Sequence, residues 1–158
     1  MSNVYAMDTP RRRAATATAI VTALIALALS AGAAPPPGKL VVEVTGFHSD
    51  AGQLLLRLYA SEAGFPTDGS RAIRQVAQPI TGRRAVVELA DLPFGSYAIG
   101  CVHDENGNGK LDTNPLGIPR EGVCASNDAR GHHGPPRWSD ARFEFRADAT
   151  PLQIHVRY

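Results

Sequence analysis

The residues best placed to do chemistry sit in one run, Asp104-Glu105-Asn106-Gly107-Asn108-Gly109-Lys110-Leu111-Asp112. Side-chain oxygens recur at Asp104, Asn106, Asn108 and Asp112. Gly109 falls where a calcium loop needs its sharp turn, and Lys110 is placed to offer a backbone carbonyl. Calcium is a hard cation that takes six to eight oxygens at flexible distances, and this spacing wraps a chain around it. The match to a helix–loop–helix site is partial. Position 12 of such a loop is a bidentate Glu, whereas here it is Pro115, and Pro115, Gly117 and Pro119 block a following helix. A site of this kind belongs to a β-domain, with Glu105, Glu121 or water completing the shell. The plain alternative is a turn, since Asn106-Gly107 and Asn108-Gly109 are both turn dipeptides. One such pair suffices for a turn, however, and neither explains acids at both ends.

Other reactive side chains form weaker patterns. Cys101 and Cys124 bracket the start of a long irregular segment. In an oxidising compartment they are expected to pair; two free thiols, or a zinc site with His103 and His132, are the alternatives. His132 and His133 are adjacent, so an extended chain points them to opposite sides. His103, Asp104 and Ser126 make a nucleophilic triad only on paper, because the chain has no Gly-x-Ser-x-Gly elbow, no His-Glu-x-x-His and no phosphate-cradling loop. The histidines are therefore read as solvated loop residues and the protein as non-enzymatic. A small hydrolase or metal enzyme using His103, His132 and His133 is the alternative. Trp138 reads as the cover of a core end; in the other reading it lines the cleft of a sugar- or peptide-binding module.

These residues need a frame, and the frame is β. Apolar residues alternate at Leu40, Val42 and Val44, at Leu54, Leu56 and Leu58, at Ala85, Val87 and Leu89, and at Tyr97, Ile99 and Cys101. Phe143 and Phe145, then Leu152, Ile154 and Val156, repeat the pattern near the end. Ser49-Asp50-Ala51-Gly52 has hairpin chemistry, and residues 73–79 make at best an edge strand because of Pro79. No stretch after the leader sustains a helical period. The expectation is an all-β, antiparallel two-sheet sandwich of about seven strands with one long irregular loop over residues 106–139. Loops of that length in a compact domain are usually functional.

The start of the chain carries an address. Arg11-Arg12-Arg13 precedes an uncharged run over residues 14–29, and Ala31-x-Ala33 fits signal peptidase. That run is short for a spanning helix, which wants about 20 apolar residues. The expected organisation is a signal peptide over 1–33, a Pro-rich spacer over 34–38 and one sandwich domain over 39–158, periplasmic or secreted with no membrane anchor after cleavage. The net charge of +1 and an aromatic share of 6% exclude a basic nucleic-acid binder. No partner is legible.

An ordered series of motifs resembles a bacterial exported family of unknown function, DUF2141. It comprises His103 to Asp112, Leu116-Gly-Ile-Pro-Arg-Glu-Gly122, Ser126-Asn127, Gly134-Pro135-Pro136 and Asp140-Ala141-x-Phe143. The likeness spans Lys39 to Tyr158. Through Leu92-Pro93-Phe94-Gly95-Ser96-Tyr97 that family is similar to transthyretin-like and carboxypeptidase-regulatory-like sandwiches. The resemblance implies an exported β-sandwich and brings no established activity. This chain departs from the family pattern at Cys101 and Cys124, where a bulky apolar and a small residue are expected. That paired change implies a local disulfide.

Overall fold

A computed structural model describes residues 36–158; the expected signal peptide and the first residues of the spacer lie outside the described residues. Eight strands follow in order: β1 (Gly38–Thr45), β2 (Gln53–Tyr59), β3 (Arg74–Pro79), β4 (Arg84–Leu92), β5 (Gly95–Asp104), β6 (Gly122–Ala125), β7 (Phe143–Phe145) and β8 (Leu152–His155). One turn of helix, α1 (Trp138–Ala141), precedes β7. They form two sheets, ordered β4-β1-β8 and β3-β2-β5-β6, with β7 pairing the start of β5. The all-β sandwich read from the alternation is the fold. All pairings between these strands are antiparallel except β1 with β8, which is parallel.

The core is the meeting of the alternating faces. Leu40, Val42 and Val44 of β1, Ala85, Val87 and Leu89 of β4, and Ile154 of β8 face Leu54, Leu56 and Leu58 of β2 and Tyr97, Ile99 and Cys101 of β5. β3 lies at a sheet edge, where its Pro79 leaves no ladder unpaired. The Tyr97 hydroxyl donates to the Pro93 carbonyl at 2.8 Å, locking the turn that carries the chain from β4 in one sheet to β5 in the other.

Two sequence expectations are corrected. Ser49–Gly52 does not close a hairpin, because β1 and β2 belong to different sheets. The Asp50 carboxylate caps another turn instead, accepting the Gly82 and Arg83 N–H groups at 2.8 and 2.6 Å. Gly82 and Arg83 both have positive φ, the form of a tight turn that a local acceptor stabilises. Gly52 is required by close approach: it has φ +68°, and a Cβ there would fall 2.0 Å from the Asp104 carbonyl oxygen. The second correction concerns residues 106–139, which are not wholly irregular. β6 lies among them as an edge strand paired with β5 from Gly100–Ala125 to His103–Gly122.

Candidate functional site

β5 carries both halves of the site at its end. Its core-facing alternation runs past Cys101 to His103, while Asp104 points the other way, into the loop; both are fully buried. The loop then folds on the Asp104 carboxylate. Oδ1 accepts the Asn108 N–H at 3.0 Å, and Oδ2 accepts the Gly109 N–H at 2.8 Å and Gln53 Nε2 at 2.9 Å. Asn106 Oδ1 and Asn108 Oδ1 repeat the device on a smaller scale, accepting the N–H groups of Asn108 and Lys110. Gly109, at φ +80°, makes the turn that aims these amides inward. Burial pushes the Asp104 pKa up, but the hydrogen bonds from Gln53, Gly109, Asn108 and Gly107 together outweigh it and hold the carboxyl below its ordinary value.

The far side of the loop is closed by two more carboxylates. Asp112 accepts the side-chain NH₂ groups of Asn106 and Asn108 at 2.7 to 3.1 Å. Glu121, buried beside β6, accepts the Glu105 N–H through Oε1 at 3.1 Å and the Asp112 N–H through Oε2 at 2.8 Å. Glu121 thus spans the loop from behind, with both carboxylate oxygens bonded to backbone N–H groups. Asp104, Asn106, Asn108, Asp112 and Glu121 are joined by this network, and Lys110 is exposed at its rim. Every acid in it is satisfied by N–H donors of the chain itself. Asp104, Asp112 and Glu121 do not form a convergent carboxylate group; among the described residues the one such cluster of potential ligands is His48, His103 and Glu105.

The two cysteines stand opposite each other on β5 and β6, with Cα atoms 4.9 Å apart and sulfurs at disulfide distance. This fits an extracellular or periplasmic location, and no helix among the described residues is long and apolar enough to cross a membrane. The zinc alternative with His103 and His132 is therefore not assembled. His103 is also not a solvated loop residue. Its Nδ1 lies 2.5 Å from the Tyr158 hydroxyl and its Nε2 2.8 Å from the Ala51 carbonyl. His132 and His133 are exposed, as read. Ser126 is buried with its Oγ accepting from the Ile99 N–H and donating to the Ala141 carbonyl, so it pins α1 to β5 and faces no base. Trp138 packs edge-on against Phe65 at 5.9 Å, over a small cluster of Ala98, Ala125 and Ala141. It covers this satellite cluster rather than an end of the main sandwich core.

A groove of about 660 Å³ runs across the outer face of the five-stranded sheet. Leu55, Val102 and Val123, side by side across β2, β5 and β6, form part of its floor. Leu116 and Ile118, 83% and 55% exposed, stand on the loop wall, and Arg57 and Arg157 contribute charge. Trp138 takes no part in it. The fold and loop define a class: a small two-sheet β-sandwich with a long acid-centred loop folded beside an open sheet face. The family described as "Uncharacterized protein conserved in bacteria (DUF2141)" matches residues 42–153, and the chain belongs to it. No curated protein and no solved structure matches the chain.

Proposed function

We propose that the chain is an exported, non-enzymatic binding module of the bacterial cell envelope, in which calcium stiffens the Asp104–Asp112 loop as a wall of the groove. The observation that carries this reading is the loop's wiring. Asn106 Oδ1 and Asn108 Oδ1 each accept a backbone N–H two residues on and retain a second lone pair. Asp104, the Lys110 carbonyl, Asp112 and Glu121 add oxygens of the kind a hard cation takes, and the three carboxylates, which do not converge by themselves, would have to draw together on the ion. A bound ion would replace the hydrogen bonds from the two Asn side chains to Asp112, so part of its binding energy goes into rearrangement.

Affinity is accordingly set in the weak range of extracellular modules, on the order of 10⁻⁴ to 10⁻³ M. At 1 mM calcium and the tighter limit, linkage adds about 1.4 kcal/mol of stability, or several degrees of melting temperature. Magnesium, with its small octahedral shell, is expected to do far less. Asp112→Ala should remove the calcium shift, whereas His132→Ala and His133→Ala should leave it. The groove is checked with 1-anilinonaphthalene-8-sulfonate, an apolar probe with an anionic end. Its emission should rise with calcium and fall in Leu116→Asp. A melting curve that calcium leaves unmoved sinks the ion site and leaves a Gly-rich turn.

Export supplies its own check. Protein recovered from the envelope should begin at Ala34. Membrane-bound material that retains Met1 or Ser2 counts against cleavage.

A further inference from the structure

We propose that His48, His103 and Glu105 form a second, chemically different metal site, one for a borderline divalent transition ion such as Zn²⁺. It takes Glu105 from the loop but none of the donors assigned to calcium above. The three residues come from separate parts of the fold: the β1–β2 connection, the end of β5 and the first residue of the loop. One ligand atom from each lies within 4.8 Å of the others. His48 Nε2 is 3.0 Å from Glu105 Oε2, and His103 Nδ1 is 3.9 Å from Glu105 Oε1. Ligands about 2.0 to 2.1 Å from a tetrahedral ion stand about 3.3 Å from one another, so the triangle is of a size to close on a cation once Tyr158 gives way.

The protonation pattern favours the same use. The Ala51 carbonyl can only accept, so His103 Nε2, 2.8 Å from it, carries the ring proton. Nδ1 is then the lone-pair nitrogen, and it is the atom turned toward Tyr158 and Glu105. Metal-bound imidazoles are held in this way, with the far N–H given to a carbonyl that fixes tautomer and ring angle. His103 is fully buried and braced by the Phe47 ring edge at 5.1 Å, so the nitrogen is aimed by a rigid core. His48 and Glu105 are partly exposed, which leaves an entry path. Tyr158 stacks on His48 at 4.0 Å, and its hydroxyl donates to Nδ1 at 2.5 Å while accepting the His48 backbone N–H at 3.2 Å, so this ring must swing aside for an ion to reach the nitrogen.

The donor set names the ion class. Two imidazoles and one carboxylate suit Zn²⁺, Ni²⁺ or Cu²⁺. Both cysteines are committed to each other, so a thiolate-preferring ion has no ligand here. With three protein ligands the site keeps an open position.

The test is isothermal titration of the chelator-stripped, untagged protein with Zn²⁺, with calcium present so that the loop site is saturated. One ion per chain is expected. His48→Ala and Glu105→Gln, at partly exposed positions that leave the core intact, should each weaken binding tenfold or more. A double His132→Ala, His133→Ala variant should bind as the wild type does. Co²⁺ in place of Zn²⁺ should give a visible ligand-field band that His48→Ala loses. Absence of zinc binding by the wild type overturns the site. So does binding that survives His48→Ala and Glu105→Gln, or that vanishes in the His132, His133 variant. Calcium-dependent melting is read separately, so either site can fail without the other.

Discussion

Asp104→Ala is expected to lower folding stability by about 2 to 4 kcal/mol, the range for stripping a charged acceptor from several buried donors. The carboxylate is fully buried and takes N–H donors from Gln53, Asn108 and Gly109 at 2.8 to 3.0 Å. Alanine leaves those donors without an acceptor, and the β5 end loses the group around which the loop is wound. Asp104→Asn should cost less, because the shape and one acceptor oxygen survive while the charge does not. The acid side of the pH profile follows from the lowered pKa. A carboxyl whose folded pKa is depressed contributes stability that is fully present above its unfolded value, about 3.9, and is lost as pH falls through the folded value. Wild type should therefore outlast Asp104→Asn at pH 7, and the gap should narrow as pH falls below about 4. Urea unfolding at neutral and acid pH measures both points. A gap between the two proteins that stays constant with pH would show that the charge on Asp104 is not what the loop uses.

How much of this was legible depends on the range of the interaction concerned. Leu40-Val42-Val44, Leu54-Leu56-Leu58 and Ala85-Val87-Leu89 declare their core faces by alternation alone, since burial on one side of a strand acts residue by residue. β6 does not: Gly122-Val-Cys-Ala is too short to show a period, and it is a strand because β5 pairs with it. The turn residues around Asp50 imply a hairpin that the two-sheet topology does not make, and the amides its carboxylate caps belong to the β3–β4 connection far along the chain. Asp104 and Asp112 bond mostly to Asn106, Asn108 and Gly109 a few residues away, whereas Gln53 and Glu121 reach the loop only through the fold. His103 could have been read as a core residue, because it continues the Tyr97, Ile99, Cys101 alternation by one step. His48 carried no signal, because its neighbours Glu105 and Tyr158 are brought to it only by the sandwich.

Cys124→Ser is expected to cost about 2 to 4 kcal/mol under oxidising conditions, and reductant should bring the wild type down by the same amount. The chain-entropy estimate for closing a loop of sequence separation 23 is about 3 kcal/mol. The location of the pair adds a structural reason. β6 is a four-residue edge strand, held to β5 along one side and, on the other, by the Val123–Arg157 bridge with N–H···O distances of 2.8 and 3.0 Å. Without the sulfur link that strand depends on few bonds, and Glu121, which ties the acidic loop together, lies immediately before it. The groove floor at Val123 should loosen with it, so binding of the anionic apolar probe should fall along with stability. Cys101→Ser should be worse than Cys124→Ser. Cys101 is buried among core residues, where a hydroxyl must find a partner, whereas Cys124 is half-buried at the cluster's margin. Reductant should shift neither variant further, which separates loss of the link from general sensitivity to thiols. Urea unfolding of the three proteins with and without reductant, with thiol labelling of the folded wild type, decides it. A wild type whose two thiols both label, and whose midpoint ignores reductant, would mean that β6 is held by its hydrogen bonds and the Val123–Arg157 bridge without the sulfur link.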